Sequence, residues 1–313
     1  IYVDDSNCPG PGTGTLLDPY CTIQLGVNAA GPGDTVSVKP GNYTGTIDVV
    51  SKTGLNIVGD SAATVIVKPT STLCWNVSSY GCSRQAVLRV VTSTNVNVST
   101  MTFDFDLVKA NFVNGMLFWD STGSVASNTL KNMSVSDVSG GYYEIGAYVR
   151  APGYTDGSRA GVAFTGNTFT DMGRVGILTH DFVQATISGN TFTKVVNDFG
   201  YAVEIGSRST GTISGNTISG YDTAALSDGS TSAGIYVENA FTGSCFGGVP
   251  HTNKPVTISG NNIHTNQFGM WIGNGYHCYA GDVDILVNLS NNNVHDNLDG
   301  GVFVEDEDRA DGS

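Results

Sequence analysis

Charge is scarce in this sequence: Lys, Arg, Asp and Glu make up 13% of its 313 residues. Only 14 are basic against 28 acidic, for a formal net charge of −14. Phosphate recognition needs clustered Lys and Arg, so nucleic acid and anionic membrane surfaces are excluded as expected partners. The same balance disfavours a strongly anionic polysaccharide unless a bound cation intervenes. No apolar run is long enough to cross a bilayer, so no membrane insertion is expected. Helical periodicity is nearly absent, and one short stretch, residues 22–30 (TIQLGVNAA), carries it. No C-x-x-C pair occurs among the six cysteines, which argues against a zinc site.

What is present is strand and turn chemistry. Gly occurs 41 times among many Asn, Ser, Thr and Val, and 40% of residues are hydrophobic, too many for a disordered chain. The cysteines fall as sequence neighbours Cys8/Cys21 and Cys74/Cys82, leaving Cys245 and Cys278. Those three pairings as disulfides imply an oxidising compartment, so the protein is expected to be secreted or at the cell surface. The opening IYVDDSN has no initiator Met or signal segment and reads as a mature or trimmed chain.

Self-similarity is the strongest signal. FTGNTF (164–169), ISGNTF (187–192), ISGNTI (213–218), ISGNNI (258–263) and the weaker LSNNNV (289–294) repeat one phrase, with ASNTL (126–130) upstream. Its fixed Asn is Asn128, Asn167, Asn190, Asn216, Asn261 and Asn292. Between the copies lies a Gly followed by alternating residues, as in GILTHD (176–181), GIYVEN (234–239) and GMWIGN (269–274). Alternation of period two marks a strand with one buried face. Repeats this short cannot bury that face alone, whereas stacked coils can, with the Asn forming a hydrogen-bonded ladder. The expectation is an all-β, single-stranded right-handed parallel β-helix of about ten coils forming one domain over residues 1–313. Residues 1–45 would be the cap and first coil, and 46–313 the stacked coils.

The opening IYVDDSN…GTGTLLDPYCTIQLGVNAAGPGDTVSVKPGNYTG resembles the first segment of right-handed parallel β-helix proteins of the pectin-lyase-like superfamily. The resemblance implies a first strand and a short N-terminal helix capping the core. It also implies a polysaccharide or oligosaccharide partner, since the superfamily includes lyases, glycoside hydrolases, pectin esterases, epimerases, tailspikes and adhesins. Fold alone does not choose among these.

Counting from each strand Gly, the second and fourth residues are expected to point outward. The second column reads Leu117, Tyr148, Leu178, Ala202, Tyr236, Trp271, Phe303, and the fourth Trp119, Arg150, His180, Glu204, Glu238, Gly273, Glu305. Aromatic rings cover sugar faces and carboxylates accept from hydroxyls, so this face is the candidate site. Surface salt bridges and an oligomer contact are the plainer alternatives. Long insertions after three of these strands, at 151–160, 239–254 and 273–282, would wall a groove and carry Cys245, Cys278 and His277.

Three readings follow. Glu204 and Glu238, expected at one position of adjacent coils roughly 5 Å apart, suit a retaining glycosidase, with His180 and Arg150 beside them. Tyr148, Tyr236, Trp271, Asp181, Asn239, Asn274 and His277 would bind substrate. Hydrolysis requires no cofactor. Alternatively, Ca²⁺ held by Glu204, Glu238 and Asn239 could serve a lyase or epimerase on a uronic-acid polymer, with His180 or Tyr148 as base. The third reading is a non-catalytic polysaccharide-binding or adhesive surface.

Overall fold

The computed structural model describes residues 1–78, 81–109, 113–134, 144–223, 231–238, 254–273 and 285–305, without the side chains of 75–84. Among these, nine coils each give one strand to each of three sheets. The first sheet has ten strands, from Tyr2–Val3 to Val287–Ser290, and the second has nine, from Gly41–Tyr43 to Asn293–His295. The third runs through Ile47–Val50, Gly81–Val91, Val113–Trp119, Glu144–Ala151, Val175–Asp181, Tyr201–Ile205, Ala233–Val237, Phe268–Ile272 and Gly300–Val304. Every coil-to-coil pairing is parallel; the exception in the third sheet is Leu73–Ser78, which pairs antiparallel with Gly81–Val91.

In-register pairing turns the repeats into columns. Val125, Phe164, Ile187, Ile213 and Ile258 line up in the first sheet and are fully buried. Leu130, Phe169, Phe192, Ile218 and Ile263 do the same in the second, where the Phe169 and Phe192 rings stack 4.7 Å apart. Thr22 caps the only α-helix among the described residues, Ile23–Ala29, by accepting from Leu25 N at 3.2 Å. A Cβ on Gly26 of that helix would come within 2.8 Å of Val3 Cγ2 and Val36 Cγ1. Its absence lets the helix lie directly on the first strands and close that end of the core.

The corner between the first and second sheets is an asparagine ladder. Asn128 N donates to Asn167 Oδ1 at 2.9 Å, and the pattern repeats through Asn190, Asn216, Asn261 and Asn292. Each interior amide also donates to a carbonyl, as Asn190 Nδ2 does to Phe164 O at 2.9 Å. The residue before the ladder Asn takes a positive φ: Gly166, Gly189, Gly215 and Gly260 lie at 62° to 64°. That is why Gly precedes Asn in the repeated phrase. A shorter ladder, Asn266 to Asn297 at 3.0 Å, occupies another corner and has no counterpart in the repeats read from sequence. Cys8 and Cys21 form a disulfide, and Cys74 is disulfide-bonded to a partner outside the described side chains. Cys245 and Cys278 lie outside the described residues, as does the side chain of Cys82.

Asn190→Ala removes the acceptor of Asn167 N and the donor to Phe164 O in a dry corner. It is expected to lower unfolding stability by about 3 kcal/mol. Thr191→Ala, on the exposed side of the next position, should change it by no more than about 0.5 kcal/mol in the same denaturant titration.

Candidate functional site

The third sheet carries the candidate residues on its outer side. One outward column runs Leu117, Tyr148, Leu178, Glu204, Tyr236, Trp271, Phe303. The next begins Trp119, Arg150, His180. Backbone bonds Gly206 N to Thr179 O (2.9 Å) and Glu238 N to Ile205 O (2.9 Å) extend it through Gly206 to Glu238. A third column, Ile145, Val175, Tyr201, Ala233, Phe268, lies on the other side.

This corrects the expected register in one coil. Tyr201 pairs with Val175 and Ala233, so Ala202, not Gly200, occupies the position that Gly176 and Gly234 hold in neighbouring coils. Glu204 therefore belongs to the column of Tyr236 and Trp271, and Glu238 to that of His180. The strand kinks at this position, because hypothetical Cβ atoms on Gly176 and Gly234 point at core residues Phe192 and Ile263 while the following residues also face inward. The two glutamates sit diagonally rather than at one coil position. A clue was present in the sequence: read inward, Tyr201 would have been an aromatic phenol in a column of Met, Ala and Ile.

The outer face is also less open than expected. Tyr148, Leu117, Leu178, Tyr236 and Trp271 are buried and, with Ile145, Val175, Phe199, Tyr201 and Ala233, form a second apolar cluster outside the barrel. Ring centroids step from Phe199 to Tyr201 (5.4 Å), Tyr236 (4.8 Å), Trp271 (5.1 Å) and Phe303 (6.0 Å). Phe303 is exposed. Alternation says which side of a sheet a residue takes; these rings bury one another on that side.

Within that apolar setting His180, Glu204 and Glu238 converge, each offering a ligand or proton-bearing atom within 4.8 Å of the others. His180 and Glu204 are half-buried and Glu238 is buried. Burial pushes the Glu204 carboxyl up to about 7, against the pull of the Arg174 charge. Glu238 is raised well above the usual range, first by burial and then by the charge of Glu204; Tyr236, whose hydroxyl donates to Oε2 at 3.3 Å, and Arg174 pull the other way. Arg174 stacks its guanidinium 4.4 Å from the Phe199 ring centroid. Arg174, Phe199 and Tyr201 were not among the candidates read from sequence.

The remaining candidates are placed differently. Arg150 Nε donates to Asp181 Oδ2 at 2.5 Å, and Arg208 donates to the other oxygen of this buried carboxylate. Asp181 is thus an internal anchor rather than a group facing substrate, and Arg150 is committed to it. Tyr148, fully buried, bonds His180 Nδ1 through its hydroxyl at 3.0 Å and cannot lie against a polymer. Asn239, Asn274 and His277 lie outside the described residues, as do most of the 239–254 and 273–282 insertions. Asn239, which would join Glu204 and Glu238 around Ca²⁺, lies outside the described residues, so of that expected set the structure places the two carboxylates alone.

A sequence profile described as the right-handed β-helix region matches residues 154–311, just over half of the chain. The chain belongs to this family. Its coils are thus right-handed, and family membership specifies the scaffold rather than a reaction. No curated protein matches by sequence. Solved structures with the same fold include Escherichia coli YbhC, at 14% identity and a TM-score of 0.56 over 94% of this chain and 84% of that one. The complex of XylC with xylose has 11% identity and a TM-score of 0.51 over 87% and 59%. Pectin methylesterase PemA from Erwinia chrysanthemi has 10% identity and a TM-score of 0.49 over 88% and 79%. At these identities the likeness of this β-helix protein to them is one of fold. No helix among the described residues is long and apolar enough to cross a membrane.

The raised glutamate values set a stability trend. The folded state holds protons at this site that an unfolded chain releases near its ordinary glutamate pKa. Stability from Glu204 is therefore full below the unfolded value of 4.5 and is lost as pH rises through about 7. Glu204→Gln is expected to flatten this decline, leaving the variant more stable than wild type at pH 8 in thermal unfolding.

Proposed function

We propose that this protein is a secreted or cell-surface carbohydrate-active enzyme that hydrolyses glycosidic bonds, with Glu204 and Glu238 as its carboxylate pair. The observation that carries the reading is the convergence of two raised-pKa glutamates within 4.8 Å, beside an imidazole and a chain of aromatic rings. A retaining glycosidase places its carboxyl groups about 5–5.5 Å apart and needs one protonated and one ionised. Glu238, more buried and lifted further by its neighbour, keeps the proton and delivers it to the leaving glycosidic oxygen. Glu204 ionises first and attacks the anomeric carbon as the leaving group departs. Water, deprotonated by Glu238, then hydrolyses the glycosyl ester and returns both groups to their starting states. Phe303, exposed at the end of the ring chain that runs from Tyr236 through Trp271, offers a face for a sugar ring. The xylose-bound XylC structure supports a sugar as the class of ligand this fold carries.

The test is a screen of neutral and uronic polysaccharides read by reducing ends and by absorbance at about 235 nm, where the C4=C5 double bond conjugated to a uronate carboxylate, made by elimination and not by hydrolysis, absorbs. Reducing ends without absorbance are expected. Glu204→Gln and Glu238→Gln should each lower kcat by about 10²-fold or more. Activity should survive dialysis against EDTA. Unsaturated product, or activity lost to EDTA and restored by a divalent metal, would replace hydrolysis with the lyase or metal-dependent reading.

A further inference from the structure

We infer that Tyr148 and Gly206 are positioning residues that fix His180 as its Nε2–H tautomer and aim that N–H at Glu204 and Glu238. The inference rests on the carboxylate pair proposed above and adds how the third member of the cluster is set.

On the Nδ1 side the buried Tyr148 hydroxyl lies 3.0 Å away, with the two rings edge-on at 5.6 Å and 87°. Either group could donate in isolation; the carboxylates beyond the ring decide the direction. A carboxylate oxygen accepts, so the ring nitrogen away from Tyr148 is the one that carries its proton toward Glu204 and Glu238. Nδ1 is left as the acceptor of the Tyr148 hydroxyl. Beside this pair Arg150 is held by the buried Asp181, which Arg208 also binds. With Nδ1 accepting, the imidazole proton belongs on Nε2.

On the other side the ring occupies the space a side chain would take at Gly206. A Cβ there would stand 2.2 Å from His180 Cδ2 and 2.5 Å from Nε2. Gly206 is the residue of the His180 column in the next coil, and Glu238 follows it one coil further. The missing side chain thus opens the gap into which the Nε2 side of the ring faces, in a cluster where one ring nitrogen and both carboxylates lie within 4.8 Å of one another. An N–H in that gap favours the ionised form of whichever glutamate accepts it, which suits a pair that must divide one proton. No other residue type leaves the gap open, which gives Gly206 a role its backbone conformation does not demand.

The experiment is ring-nitrogen NMR of ¹⁵N-histidine-labelled protein near neutral pH. The chain has five histidines, and His180 is assigned by the signals lost in His180→Asn. Wild type should show one tautomer, protonated at Nε2 with Nδ1 as acceptor. In Tyr148→Phe the Nδ1 partner is gone, and the Nδ1–H form should become populated. Gly206→Ala should shift the His180 signals by displacing the ring. On a substrate found by the screen, Tyr148→Phe should lower kcat about tenfold, the size of one hydrogen bond, with KM little changed. An Nδ1–H tautomer in wild type overturns the inference without any variant, as does an unaltered His180 spectrum in folded Tyr148→Phe. These readouts need no substrate, so they separate from the hydrolase reading. Loss of turnover in the glutamate variants with an unaltered Tyr148→Phe spectrum defeats the inference alone. The expected tautomer with active glutamate variants defeats only the carboxylate-pair mechanism.

Discussion

Each coil hydrogen-bonds in register to the one before it, and that parallel pairing fixes the position of everything else. It spaces side chains of one column by about 4.8 Å, close enough for rings to touch and for carboxylates to share a proton. A residue's neighbours are therefore residues from other coils, some 30 positions away along the chain. Tyr148, His180 and Glu238 come from three different coils, and none could reach the others within its own. The Asn ladder enforces the register at one corner, because an amide displaced by a residue would leave buried donors and carbonyls unpaired. The core columns enforce it from inside, since a slip of one residue would turn Phe164 or Ile187 to solvent.

The site departs from this regularity in two places. In the coil of Tyr201–Ile205 the position held elsewhere by Gly is Ala202, and the shift sets Glu204 diagonally across from Glu238. At Gly206 the outward column loses a side chain, and His180 fills the space. Around both lies a second apolar cluster on the outside of the sheet. Low polarity there raises both glutamates, and Arg174, stacked on Phe199, limits how far. The arrangement costs stability at alkaline pH, as a site that holds a shared proton must.

The scaffold was legible because its signals repeat. The repeated Asn marked the ladder, alternating residues marked the core columns, and the stretch 22–30 marked the helix. The site was legible only in part. His180, Glu204 and Glu238 were picked out as a cluster from outward positions, but the column of Glu204 was misjudged because Gly200 imitates the strand glycine two residues early. Burial of Tyr148, Tyr236 and Trp271 was not legible, since alternation assigns a side of the sheet and not what packs on it. The roles of Asp181 and Arg150 were hidden for a related reason: Arg208, which completes their ion-pair network, lies outside the strand repeats.

The central claim is that Glu204 and Glu238 share a proton at neutral pH. The chain has only five glutamates, so carbon NMR of side-chain carboxyls in ¹³C-glutamate-labelled protein resolves the pair directly. Two carboxyls should remain partly protonated after the others have ionised and titrate in separate steps. Replacing either by Gln should bring the other's step to lower pH. Five carboxyls all titrating near the ordinary glutamate value of about 4.3 would contradict the account.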